Sequence, residues 1–256
     1  MRRFVVVAVL VLLVGTLTSV FFLPAKLAQY AIDQVQGVDA IRYGGTVWNG
    51  RATLITQTGP TADLSWQLQG LTDPQNSDFL HLRPTFAWTL KNPDIALEGT
   101  LELQESAVQL YAAGDISSNA LAPMLNRFDI FISGAFTLQP TSISSRYQPQ
   151  SMDEVTLLGP LELLWSGGQV SYILADQYHQ IELPSLKAEL ARESDQTFSA
   201  KVTSTANAAK LLDLALSVDG MVHVRLNRRF IDFLAYPWPG DQHPEDIVIE
   251  VERRIF

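Results

Sequence analysis

The chain has 256 residues, 27 of them acidic against 18 basic and none of them cysteine, for a formal net charge of −9. An acidic balance repels phosphate backbones, which sets nucleic acid aside as a partner, and the lack of cysteine excludes disulfides, thiolate metal sites and a cysteine nucleophile. About 230 residues follow the opening apolar run, enough for one large domain or two small ones.

Met1, Arg2 and Arg3 form a short charged tip, and from Phe4 to Leu23 no residue is charged. At about 1.5 Å of rise per residue that run reaches roughly 30 Å, the thickness of a bilayer hydrocarbon core, and predicts a transmembrane helix. The nearest positive charges precede the run, because the first charge beyond it is Lys26. The tip is therefore expected in the cytoplasm and the bulk of the chain on the far side of the membrane. A cleaved signal peptide would need a shorter apolar core and a small-x-small site, whereas Val20-Phe21-Phe22-Leu23-Pro24-Ala25-Lys26 is bulky at that junction. Without Arg2 and Arg3, 16 of the 18 basic residues remain against 27 acidic ones, so membrane contact is expected through the helix and not through a basic patch.

Segment 24–40 is expected to be juxtamembrane. Leu27, Tyr30, Ala31, Gln34, Val35 and Val38 recur at helical spacing and Gly37 marks an end, which predicts an amphipathic helix from Pro24 to Gln36. Beyond Ile41 the period becomes two. Leu64 to Leu68, Leu97 to Leu103 and Val218 to Leu226 alternate apolar with polar, and Phe128 to Leu138 does the same, as half-buried antiparallel strands do.

A first β-rich half spans 41–139 and a second 155–256, the latter with an irregular tail around Tyr236-Pro237-Trp238-Pro239-Gly240 and a short last strand at Ile247 to Val251. Between them Pro140 to Glu154, rich in Ser, Thr, Gln and Pro, reads as a surface connection. Each half carries a tryptophan beside a turn former, Trp48-Asn49-Gly50 and Trp165-Ser166-Gly167-Gly168, and both sites predict tight hairpins. Gly99, Gly134, Gly159 and Gly220 each precede two apolar residues at strand spacing. Glycine inside a strand marks a bend, so this echo predicts a strongly curved sheet in two similar halves. Helical patches at Asn119 to Arg127, Ala206 to Leu214 and Arg228 to Leu234 would connect strands.

No catalytic residue, metal ligand or cofactor site emerges. The chain has no Gly-x-Ser-x-Gly elbow, phosphate-binding glycine loop or His-Glu-x-x-His. His81, His179, His223 and His243 are dispersed, and His243-Pro244-Glu245-Asp246 lies in a proline-rich loop where solvated surface is the commoner outcome. Asp153-Glu154 and Glu245-Asp246 are adjacent acids whose side chains diverge on any regular element. Trp48, Trp66, Trp88, Trp165 and Trp238 are expected in the core.

The order of features, an anchor ending in Leu23-Pro24-Ala25, then Gly45-Thr46-Val47-Trp48-Asn49-Gly50-Arg51-Ala52, the Trp66 strand, Leu158-Gly159-Pro160-Leu161 and Trp165-Ser166-Gly167-Gly168-Gln169-Val170, resembles the general secretion pathway protein N family of the bacterial type II secretion system. Family members more often carry Ser where Asn49 stands. The resemblance implies a single-pass inner-membrane protein with a periplasmic β domain that supports export of folded proteins across the outer membrane. It also implies no catalytic role, with energy supplied by a separate cytoplasmic ATPase. Partners would be inner-membrane platform proteins or the outer-membrane secretin. The curved β domain also resembles AsmA-like proteins, whose apolar inner face suits lipid chains. An accessible apolar face would favour that alternative, and a face filled by Trp, Phe and Leu side chains would favour a scaffold.

Overall fold

The computed structural model describes residues 20–33, 37–56, 61–72, 83–147, 154–174, 177–194, 197–217, 219–234 and 238–254. The expected anchor, Phe4 to Leu23, lies outside these residues except for its last four positions. No helix among the described residues is long and apolar enough to cross a membrane.

Of the helix expected from Pro24 to Gln36, Gln34 to Gln36 lie outside the described residues, and the part before them is broken. A 3-10 turn, Ala25–Ala28, leads into a single turn of helix α1, Gln29–Ile32. The first strand, β1 (Val38–Gly45), already includes Val38, which pairs with Thr56.

In chain order the next strands are β2 (Asn49–Thr56), β3 (Ala62–Thr72), β4 (Arg83–Asn92), β5 (Ile95–Leu103), β6 (Ala107–Ser117), β7 (Ile130–Ile132), β8 (Ala135–Arg146) and β9 (Val155–Leu157). They are followed by β10 (Leu161–Trp165), β11 (Gly168–Leu174), β12 (Gln177–Leu183), β13 (Leu186–Ser194), β14 (Thr197–Ser204), β15 (Lys210–Ser217), β16 (Met221–Asn227) and β17 (Ile247–Arg254). They form a 14-stranded antiparallel sheet ordered β1-β2-β3-β4-β5-β6-β8-β10-β13-β14-β15-β16-β17, with β9 beside β8, and a three-stranded sheet β12-β11-β7. The chain is mainly β.

The sheet runs unbroken where the sequence predicts a connection. Pro140 to Arg146 belong to β8, paired with β6, and only the stretch beyond them remains to connect. Proline is tolerated because the register slips there: Ala112 pairs with Thr141 and Gly114 with Leu138. Pro140 thus falls in the irregular stretch of the ladder, where a missing N–H is least costly.

Register follows the period-two pattern. Cross-strand partners share a face, and the rung Ala52, Leu64, Leu90, Leu97, Gly114, Leu138 is apolar throughout. The same face continues through Leu163, Ala188, Val202, Leu212, Leu226 and Ile249. Its reverse carries Asp63, Glu98, Glu162, Lys187, Lys201, Asp213 and Arg225, some of them paired, as Lys187 Nζ is with Glu162 Oε1 at 2.6 Å. Most of the apolar face is half-buried, and Trp165, at 7% exposure, is the one tryptophan among the buried side chains of the described residues. The expectation of five core tryptophans is thus corrected: Trp48, Trp66, Trp88 and Trp238 are half-buried.

Two of the three expected connecting helices are present, α2 (Ser118–Leu125), capped by the Ser117 hydroxyl accepting from Asn119 N, and α3 (Arg228–Phe233). The third is a strand. Ala206 to Leu214 begins as a turn and then enters β15, because Leu212 and Leu214 pair with Val202 and Ala200 on the apolar face. The extra residue of the register shift there, Leu211, is 1% exposed, and α3 packs on β15 with Ile231 at 2%.

Candidate functional site

The stretch Gly45 to Gly50 makes the β1–β2 hairpin, with the reversal at Val47-Trp48, two residues earlier than Asn49-Gly50 implies. Gly45 and Gly50 pair, Thr46 N donates to Asn49 O at 2.8 Å, and Asn49 N donates to Thr46 Oγ1 at 3.1 Å. Gly45 takes φ +84, a left-handed value that glycine adopts without the penalty a Cβ brings.

This turn grips the end of the uncharged run. Val47 N donates to Leu23 O at 2.9 Å, Trp48 Nε1 donates to Val20 O at 2.8 Å, and Pro24 bridges to Thr46. Ala25, directly after, is 1% exposed, while Phe21 and Phe22 stand 68% and 77% exposed. Phe4 lies outside the described residues; Leu23 is inside, at the grip itself.

Behind the turn sits a row that the glycine pattern conceals. Across adjacent strands, Gly50 pairs with Trp66, Trp66 with Trp88, and Trp88 with Gly99. A Cβ on Gly50 would lie 2.4 Å from Trp66 Cζ2, and one on Gly99 3.0 Å from Trp88 Cζ2 and 1.8 Å from Tyr111 O. These glycines make room for indole rings and a neighbouring strand. Trp66 Nε1 donates to Val47 O at 2.8 Å, tying the row to the turn. The four glycines of the echo therefore do not share one role: Gly99 faces Trp88, Gly134 (φ +92) sits at a corner, Gly159 has open space around it, and Gly220 (φ +82) precedes β16.

Trp165, Gly167 and Gly168 do not form a hairpin. β10 belongs to the large sheet and β11 to the small one, so the chain passes between sheets at Ser166-Gly167. β7 to β8 does so at Ser133-Gly134, and β12 to β13 at Pro184-Ser185. The predicted strand Phe128 to Leu138 is therefore two strands broken at the corner.

Three adjacent corners are cross-linked by hydrogen bonds. Trp165 Nε1 donates to Ser133 O at 2.9 Å, Ala135 N to Ser166 Oγ at 3.0 Å, Gln169 N to Ser133 Oγ at 2.7 Å, and Ser185 Oγ to Ser166 O at 2.8 Å. Gly167 has φ +80, and a Cβ there would meet Pro184 C at 2.8 Å. The angle between the sheets holds an apolar groove of about 300 Å³, lined by Phe136, Leu163, Trp165, Val170, Leu183 and Leu186 among others. Trp165 stacks on Phe136 with ring centroids 6.2 Å apart.

A second depression, about 840 Å³, lies over the first strands, and no sequence motif announces it. Arg42, Thr53, Asp63 and Lys91 form one cross-strand rung, and Gly44, Arg51, Ser65 and Thr89 the next, so three cations share the polar face with one carboxylate. Asp63 Oδ1 accepts from Thr53 Oγ1 at 2.9 Å. Arg42 and Arg51 stand on the two strands of one hairpin, and only strand pairing brings the distant Lys91 to them.

Among the described residues no group of three or more His, Cys, Asp or Glu is placed to hold a metal ion. His179 stacks on Tyr172, His223 Nδ1 lies 3.1 Å from Glu252 Oε1, and the His243 backbone N donates to Asp246 Oδ2 at 2.8 Å. His81 and Asp153 lie outside the described residues. Comparison of the chain with protein-family models, curated proteins and solved structures finds no match.

Proposed function

We propose that this chain is a noncatalytic component of the bacterial type II secretion system, held in the inner membrane by Phe4 to Leu23 with its sheet in the periplasm, where it supports export of folded proteins across the outer membrane. One observation carries the reading. The Gly45 to Gly50 stretch, on which the resemblance to the general secretion pathway protein N family rests, is also the turn that holds Leu23 through Val47 N and Val20 through Trp48 Nε1. A protein acting by contact needs its docking surface at a fixed position relative to the membrane, and these bonds supply that coupling. The strongly curved form and the two AsmA-like halves belong to this proposal, supported by register shifts in six strand pairs, because each bulge adds local twist. Strands β1 and β17 end the large sheet, and an end strand suits strand addition by a partner.

A lipid-handling role is the second reading. It is favoured by the half-exposed apolar face and by the groove beside Trp165, whose lining side chains carry almost no polar atoms. Deleting the gene separates the two. The secretion reading expects folded substrates to accumulate in the periplasm at the expense of the medium, with passage into the periplasm unchanged. Unchanged secretion together with altered outer-membrane lipid composition or permeability would replace it with the lipid reading.

A further inference from the structure

The chain is acidic as a whole, yet its first strands carry a local excess of positive charge. Arg42, Arg51 and Lys91 are exposed, and none of them forms an ion pair among the described residues. Elsewhere on the same face cations do find carboxylates, as in Lys187 with Glu162 and Arg225 with Glu250. The next carboxylates along the two rungs are Glu98, which pairs with Thr89, and Asp115, which pairs with Ala96. Asp63 faces Lys91 across the rung and Glu98 stands diagonal to it, roughly 8 Å away, whereas Glu98 is three strands from Arg51, roughly 14 Å, where exposed charges are largely screened. Ser65 Oγ and Thr89 Oγ1, 2.7 Å apart, add hydroxyls between the cations. Three cations outnumber the one carboxylate, Asp63, that lines the same hydroxyl-bearing depression of about 840 Å³, and that excess is complementary to a phosphate group.

The position selects the source of that phosphate. Arg51 is four residues from Val47, no more than roughly 14 Å along an extended chain, and Val47 N is bonded to Leu23 O, the last residue of the uncharged run. Phe21 and Phe22 are exposed at the same end, as apolar side chains beside a bilayer would be. If the run spans the membrane, the depression lies at headgroup height.

We propose that Arg42, Arg51 and Lys91 bind the phosphate of an anionic phospholipid headgroup at the membrane surface. The site fixes the first hairpin against the bilayer and rests on the reading of Phe4 to Leu23 as an anchor. It departs from the expectation, drawn from net charge, that membrane contact runs through the helix and not through a basic patch.

The test is native mass spectrometry of the full chain in neutral detergent, titrated separately with short-chain phosphatidylglycerol, phosphatidylcholine and inorganic phosphate. Phosphatidylglycerol should be retained as a one-to-one adduct and phosphatidylcholine should not. Combining Arg42→Gln, Arg51→Gln and Lys91→Gln should weaken retention on the order of a hundredfold, and each substitution alone about fivefold. A charge-matched control, Arg127→Gln with Lys201→Gln and Arg253→Gln, should retain lipid as the unaltered chain does. Equal retention of phosphatidylcholine, undiminished retention by the first triple variant, or equal loss in the control would each overturn the proposal. Displacement of the lipid by an equal concentration of inorganic phosphate would overturn it too, by assigning the site to a free anion. None of these outcomes bears on secretion, so the site and the secretion role fail separately.

Discussion

Gly50 illustrates how much of this protein is decided by single atoms. The space a side chain would take there is filled by the Trp66 ring, and a Cβ would also lie 2.6 Å from Thr46 O. Gly50→Ala should therefore destabilise the chain by about 1–3 kcal/mol through overpacking, read as a lower denaturant midpoint at unchanged slope. Gly70 is the matched contrast, in β3 with nothing within 4 Å of where a Cβ would stand. Gly70→Ala should be neutral or stabilising by about 0.5–1 kcal/mol, since alanine loses less backbone freedom on folding. Equal effects at the two positions would mean that the Trp66 contact does not restrict Gly50.

At the scale of elements, the corners at Ser133-Gly134, Ser166-Gly167 and Pro184-Ser185 carry three strands from one sheet to the other. Gly167 combines a positive φ with backbone contact, so Gly167→Ala should cost about 2 kcal/mol or more. The loss should appear as a lower unfolding midpoint, and an unchanged midpoint would show that the corner tolerates a side chain.

The alternation of apolar and polar residues makes β3, β5 and β16 legible in the sequence, and helices α2 and α3 are legible from their apolar spacing. What stays hidden depends on distant pairing. Pro140 argues against a strand unless its place beside a slipped register is known, and Ala206 to Leu214 has apolar residues at both helical and strand spacing. Trp165 to Gly168 has the composition of a hairpin, but composition does not say that its two strands pair with different neighbours. The cluster of Arg42, Arg51 and Lys91 is invisible for the same reason: a whole-chain charge averages over residues that only the sheet brings together.

At the scale of the molecule, one apolar face runs from β2 to β17 without interruption, and its first corner is bonded to the end of the uncharged run. Such a platform suits docking at the membrane. The most direct measurement is to extract the tagged full chain from membranes in mild detergent and identify by mass spectrometry what is retained with it. Inner-membrane platform proteins of type II secretion or the outer-membrane secretin should be retained, lost in a strain lacking those components and enriched over an unrelated anchored protein. Retention of no secretion component above that background would contradict the secretion role.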